Sequence, residues 1–347
     1  MMAMMANGRG LVMRHGTSAR AICLAGCGAL LLIVLLCSVA FGSKSIPLGT
    51  VLDALRSRGP ASSDYLIVRT LRLPRTEVGL LTGVAIGLAG GIMQGVARNP
   101  LADPGLLGVN AGASLAVVIA IYVFGVGSLL GYVWFAFAGA AVVAAIVYLL
   151  GSAGRGGATP VKLVLAGAAL TAFVGSITTT ILLVDVATFD QFRFWVVGSL
   201  SGRDATIATH MAPFVIVGAM MALLSGRALN AMALGDDVAR SLGQRVGRVR
   251  LFAAAAVVLL VGAATAAAGP IAFVGLTVPH LARAIAGPDY RWVLPFSALL
   301  APALLVGADV VGRLVARPGE LQVGIVTAFI GAPFFVMLVR RRKLATL

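Results

Sequence analysis

The sequence predicts an all-α integral membrane protein of about ten transmembrane helices. Three observations carry that prediction. Hydrophobic residues make up 60% of the 347 and charged residues 11%, against roughly 25% charged in soluble domains. The mean hydropathy is +1.02. Apolar windows of about twenty residues, the helix length that crosses a bilayer core, recur along the whole chain. No long polar stretch stands apart as a second domain.

The elements follow in order. Residues 1–20 read as a polar arm carrying Arg9, Arg14 and Arg20. The apolar run after it, 21–41, is long enough for a retained first span rather than a signal-peptide core. It holds all three cysteines, Cys23, Cys27 and Cys37, which on one lipid-buried helix read as small packing residues, not as disulfide or metal partners. Further windows fall at 76–97, 106–125, 130–150, 161–184, 206–226, 250–268, 271–286, 293–312 and 321–340. The window 271–286 is short and is punctuated by Pro270 and Pro279, so it is expected to be broken or tilted. Residues 344–347 are a tail.

Two interruptions are structured. Within 227–249, Gly235 is placed to end one short helix in a left-handed cap, Asp236 to cap the next, and Gly243 to end it. Two short amphipathic helices are therefore expected. Asp190–Arg203 is semi-polar and predicts a further short helix between the fifth and sixth spans. Trp134, Trp195 and Trp292 fall near predicted interfaces, as aromatic belt residues do.

The net charge of +15 would suit nucleic acid in a soluble protein. Here it reads as topology. With both termini inside, seventeen of the 27 Lys and Arg fall on the inner side, and Arg340–Lys343 anchors the C-terminus there. The remaining ten outer cations need a reason of their own.

Residues 72–112 are the most informative segment. Arg72-Leu73-Pro74-Arg75 precedes a span in which Gly79, Gly83, Gly87, Gly91 and Gly95 recur every four residues. That spacing lays a flat stripe on one helix face, where a neighbouring helix packs at close range. Arg98-Asn99-Pro100-Leu101 and Pro104 then stop the helix.

Several chemistries are excluded. No Gly-x4-Gly-Lys-Ser/Thr loop is present, so no P-loop ATP site is expected. There is no Ser-His-Asp or His-Glu-x-x-His arrangement, and His15, His210 and His280 are scattered. Neither a catalytic residue nor a metal site is expected. Only 12 acidic residues occur, which argues against an ion-gradient carrier with mid-membrane carboxylates. The glycine stripe argues against a non-transporting scaffold.

Six blocks in order, "RLPR", "RNPLADPGLLGVNAGA", "LNAMALGDDVARSLG", "GPIAFVGLTVPHLAR", "ADVVGRLV" and "GELQVGIVTAFIGAPFFVMLVRR", resemble the permease subunit of ABC importers for iron-siderophores, haem and vitamin B12, the FecCD/BtuC-type family. The resemblance covers residues 21–343. It implies a BtuC-like bundle and an ATP-driven importer, with ferric siderophore as leading cargo and haem or cobalamin behind it. It implies no cofactor in this chain, ATP-Mg being held by two partner ATPase subunits. The other implied partners are a second permease copy or paralogue, a substrate-binding protein outside, and the inner-membrane bilayer.

The resemblance also implies roles by position. Arg72, Arg75 and Arg313, the last oriented by Asp309 four residues earlier, match arginines that pair with glutamates of the binding protein. An arginine fork holds a carboxylate by two parallel bonds. Asn99, Pro100 and Leu101 match an inner gate, with Asn99 bonding across a constriction. Thr159 and Pro160, in the loop from Gly157, match a second gate by position alone. Leu229, Met232, Leu234, Gly235, Asp236, Asp237, Arg240, Leu242 and Gly243 match the coupling helices that dock on the ATPase, with Leu229, Met232, Leu234, Val238 and Leu242 as one apolar edge. No chemistry is assigned to Gly269–Arg283, and His280 reads as structural.

Overall fold

The computed structural model describes residues 17–56, 62–153 and 159–343. Most of the polar arm, Gly157 and Ala158 of the second gate loop, and the C-terminal tail lie outside them. Every described element is helical. In order they are α1 (Thr17–Ala40), α2 (Leu48–Leu55), α3 (Ser63–Leu66), α4 (Leu73–Ala97), α5 (Val109–Tyr122), α6 (Leu129–Ser152), α7 (Pro160–Val184), α8 (Val186–Val196), α9 (Ala205–Leu224), α10 (Gly226–Ala233), α11 (Asp236–Ser241), α12 (Val246–Ala268), α13 (Val274–Ala286), α14 (Tyr290–Val315) and α15 (Val323–Lys343). A π-helical turn, Ile67–Arg72, joins α3 to α4, and a 3-10 turn, Pro104–Leu107, precedes α5.

Each apolar window coincides with a helix. Seven helices are long and apolar enough to cross a membrane by length and composition. The window at 106–125 shortens to the 14 residues of α5, and that at 271–286 to the 13 of α13. α5 starts only at Val109 because the 3-10 turn Pro104–Leu107 and Gly108, at φ 71°, precede it. Asp103, Pro104 and Asn110 line one small cavity with Ile86 of α4 and Thr265 of α12. Such irregular backbone is tolerated at depth only when enclosed by protein, and Asn110 is bonded to Thr265 at 2.9 Å.

α4 is the axis of the bundle. Nearly all of it from Val78 to Val96 is buried, and α14, α12, α13 and α9 pack around it. α7 has mostly exposed apolar residues, Val161, Leu165, Phe173 and Leu183 among them. Exposed apolar surface of that kind suits lipid or a second membrane protein, not water.

Three local expectations are corrected. Thr17–Arg20, read from the sequence as the end of the arm, are helical within α1. Trp195 is buried, against Phe192, and is not a belt residue; Trp134 is exposed and Trp292 half-buried. Asp236 does not cap α11, whose N-cap is Gly235 at φ 107°, ψ 155°, outside the left-handed helical region. Gly243 ends that helix at φ 82°. The short helix expected near Asp190 is α8, and the two expected around 229–243 are α10 and α11.

Candidate functional site

The end of the bundle predicted to face outside carries a buried ionic cluster. Asp309 of α14 is 1% exposed. Arg75, in the first turn of α4, grips it with a fork: Nε donates to Oδ2 at 3.0 Å and Nη2 to Oδ1 at 2.7 Å. Arg313, one turn on from Asp309, pairs with its Oδ2 at 3.1 Å. The expected Asp309–Arg313 pair is present, but the bidentate partner of Asp309 is Arg75. The remaining Arg75 nitrogen, Nη1, donates to Glu320 at 2.6 Å.

α1 ends at this cluster, and its last carbonyls have no partner within the helix. Arginines satisfy them, as cations do at a helix C-terminus. Arg72 donates to Val39, Ala40 and Lys44 carbonyls. Arg313 donates to the Ser38 and Phe41 carbonyls at 3.0 and 3.1 Å, and Arg317 to that of Gly42 at 2.6 Å. Arg72, Arg75 and Arg313 are thus 5%, 8% and 2% exposed. Their donors are largely engaged inside the chain. The sequence could not reveal this, since α1, α4 and α14 lie far apart along it.

Glu320, between α14 and α15, also accepts from Ser43 and Ser201, each at 3.3 Å. Burial pushes its carboxyl up, but the bonds and charge of Arg75 outweigh that and hold it below the usual range. Lys44, Arg72, Arg75, Arg203, Arg313 and Glu320 all line one crevice of about 220 Å³.

The opposite end joins the expected gate to the expected coupling helices. α4 stops at Ala97 because Arg98 turns left-handed, at φ 51°, ψ 29°. A side chain with a Cβ is rare there. The turn sends Arg98 to Asp236 on α11, at 3.2 Å. Asp236 is also held by Arg250 of α12, Nη2 lying 3.0 and 2.8 Å from its two oxygens. One carboxylate therefore ties the loop after α4, α11 and α12 together. Asn99 is exposed, and its Oδ1 accepts from the Leu101 amide at 3.0 Å, an Asx turn within its own loop. Thr159 accepts from the Lys162 amide at 3.4 Å, with Pro160 at the first position of α7.

The apolar edge of α10 and α11 divides. Leu229 and Met232 are fully buried, while Leu234, Val238 and Leu242 are exposed. Met232, Ala239 and Val246 form a small core of their own, so the two helices are a packed unit. Asn230 bonds both Asp289, at 2.6 Å, and the Tyr290 amide, at 2.8 Å. Asp289 is lowered to about 2, chiefly by the Arg291 side chain beside it. Asp237 pairs only locally, with Arg240 at 2.8 Å.

The glycine column of α4 lies against α14. A Cβ on Gly83 would stand 2.3 Å from Pro302 Cα, one on Gly87 2.4 Å from Ala301 Cβ, and one on Gly91 2.8 Å from Leu294. Gly79 and Gly95 are looser, at 3.0 and 3.1 Å from side chains. The sequence missed Gly90, off the stripe, where a Cβ would meet the Gly275 carbonyl of α13 at 2.0 Å. It also missed a role for the 269–283 block, in which Arg283 bonds Gln94 and Tyr290. Gln94, an amide at the helix spacing of an apolar run, was the available signal. His280 stacks edge-on to Phe334. Among the described residues no three His, Cys, Asp or Glu side chains converge as a metal site requires.

A bundle with mostly apolar, membrane-length helices, ionic clusters at both ends and a close-packed glycine axis defines a multi-pass membrane transport permease rather than an enzyme. The chain belongs to the FecCD transport family, whose model matches residues 30–341. It is 50% identical over 324 residues to the ferric enterobactin transport system permease protein FepD of Escherichia coli (strain K12), covering 93% of this chain and 96% of that one. It is 35% identical over 320 residues to the hemin transport system permease protein HmuU of Yersinia pestis, covering 90% and 95%. A solved metal-chelate type ABC transporter in an inward-facing conformation superposes with a TM-score of 0.82 at 26% identity, over 92% of this chain and 99% of that one.

Proposed function

We propose that this chain is the permease subunit of an ATP-driven importer whose cargo is a ferric siderophore. The observation that carries the cargo is the 50% identity, over nearly the whole length, to a ferric enterobactin permease. Haem is the second reading, supported by the 35% identity to a hemin permease. In the proposed assembly two permeases, this chain with itself or with a paralogue, enclose the pathway. Two ATPase subunits sit on the inner side and a binding protein on the outer. The chain crosses the inner membrane ten times with both termini inside. α5, α13 and α15 complete the count, α5 and α13 by entering only part-way as helix.

ATP binding draws the ATPase subunits together and moves α10 and α11. Exposed Leu234, Val238 and Leu242 are the apolar contact with the partner; buried Leu229 and Met232 fasten the unit to the bundle. Because Arg98 holds Asp236 and immediately precedes Asn99-Pro100-Leu101, movement of α11 pulls on the gate loop. A rigid link of this sort is what push–pull coupling needs.

The test is uptake of radiolabelled ferric siderophore into vesicles holding the chain with its ATPase and loaded binding protein. Uptake is expected only with ATP. No uptake under those conditions sinks the proposal, and uptake abolished by an ionophore but indifferent to ATP assigns a secondary carrier instead. In the same vesicles Asp236→Ala removes the acid shared by Arg98 and Arg250. ATP hydrolysis is expected to persist while uptake falls roughly tenfold or more, the scale of a lost coupling energy. Equal uptake by the variant would exclude Asp236 from the linkage.

A further inference from the structure

The short helix α2 carries two apolar sides, and the fold covers one of them. Leu48, Leu52 and Leu55 fall at the i, i+4, i+7 spacing that shares one side of a helix. They are 65%, 50% and 37% exposed. Val51 and Ala54, on the adjoining side, are buried with Val39 at the end of α1, Ile46, and Val68 of the π-helical turn. Tyr65, Ile67 and Leu73 pack around that small core. Gly49 and Asp53 are exposed and give α2 a polar flank. Packing thus consumes the Val51–Ala54 side and leaves the leucine side open.

An open leucine side is disfavoured in water in proportion to its area, so it calls for an occupant. Two observations select the bilayer. The first is continuity. α2 packs against α1, α3 and the π-helical turn, and α1 is peripheral, with little of its apolar window buried. Exposed Leu32, Ile33, Leu36 and Phe41 carry the lipid-facing surface of α1 up to the predicted outer end, where α2 begins. The second is charge. Arg56, exposed, is the C-cap of α2, and Arg69 of the π-helical turn donates to the Ala54 carbonyl at 3.4 Å. Cations suit a helix C-terminus, and beside an apolar helix side they also suit lipid phosphates. The acid of α2 itself, Asp53, lies off the leucine side. An apolar side, a polar flank and a cationic end are the pattern of a helix lying in a membrane–water boundary.

We propose that α2 lies in that boundary at the predicted outer end, with Leu48, Leu52 and Leu55 among the upper acyl chains and Arg56 and Arg69 at the level of the phospholipid phosphates. The helix then acts as a foot. Through Val51 and Ala54 it holds the end of α1 and the π-helical turn, which carries Arg72, at a set depth in the bilayer. The inference goes beyond the importer reading and is independent of the cargo.

The experiment is nitroxide accessibility on the intact permease–ATPase complex in discs of phosphatidylethanolamine and phosphatidylglycerol. Cys23, Cys27 and Cys37 are first replaced by alanine. Single labels are then placed through Leu52→Cys and Leu55→Cys, and on the polar flank through Asp53→Cys. Oxygen concentrates in hydrocarbon and a nickel chelate stays in water. Labels at 52 and 55 are expected to relax with oxygen and to be shielded from nickel severalfold relative to 53, with or without binding protein. Because all three positions are exposed, the labelled chains are expected to melt like the unlabelled one; Leu48→Cys replaces any label that lowers the melt. Equal nickel access at 52 and 53 overturns the inference by placing the leucines in water. Shielding of 52 from both agents also overturns it, by assigning the face to a second permease. If that shielding appears only when binding protein is added, the occupant is the binding protein and the inference falls, while the importer reading stands.

Discussion

Asp309→Ala is expected to cost about 3–5 kcal/mol of stability, the scale for breaking a buried ion pair by deleting one partner. The reason is what remains. Arg75 and Arg313 are 8% and 2% exposed; Arg75 would keep Glu320 as its carboxylate partner, and Arg313 would have no carboxylate in ion-pair contact among the described residues. Arg313 also holds the end of α1 through Ser38 and Phe41, so the loss spreads to three helices. Asp309→Asn keeps the shape and one acceptor oxygen but not the charge, and should fall between. Thermal melting of the purified protein in detergent, with monodispersity as a second readout, checks the order. A wild-type melt for Asp309→Ala would show that the cluster contributes nothing net. By the same logic, replacing Arg75 or Arg313 tests folding before it tests docking.

Gly87→Leu should be the most damaging of the stripe substitutions together with Gly83→Leu, each costing about 3 kcal/mol or more, the upper end of overpacking. At Gly87 the new Cβ meets Ala301 Cβ at 2.4 Å and the Ser297 carbonyl at 2.7 Å. At Gly83 it meets the backbone of Pro302. Neither neighbour can swing aside as a flexible side chain would. Alanine is therefore expected to separate the stripe into two classes: Gly83→Ala and Gly87→Ala destabilise, while Gly79→Ala and Gly95→Ala are nearly tolerated. Yield of folded protein and apparent melting temperature read this directly. A flat series would mean that α4 and α14 slide apart freely and that the column is not a packing seam.

Much of the fold was legible because lipid imposes it. A chain that must satisfy its backbone inside a bilayer forms helices or a closed barrel, and windows of about twenty apolar residues select helices. Counting those windows located the apolar helices, seven of them long enough to cross, and the i, i+4 glycines marked a close helix contact. The short helices α8, α10 and α11 were legible from breaks in hydropathy and from Gly235 and Gly243. Cap chemistry was read less well. Asp236 looked like an N-cap by position, but two arginines from outside its own helix compete for its carboxylate and win. Asn99 Oδ1 accepts from the Leu101 amide of its own turn, a local bond that the order of motifs did not reveal. Shortened α5 was missed since hydropathy records apolar content and not the 3-10 turn and Gly108 that delay its first residue to Val109.

By itself the sequence determined an all-helical membrane protein with a glycine seam and charged ends, and the order of its blocks carried the resemblance to a family of permeases. Those are properties of composition, period and spacing along one chain. Only the tertiary structure decided what each arginine meets. Arg72, Arg75 and Arg313 are the same residue type at the same end of the bundle. Whether each meets Asp309 or the last carbonyls of α1 depends on helices tens to hundreds of residues away, and burial makes that pairing, not the charge itself, set each one's role.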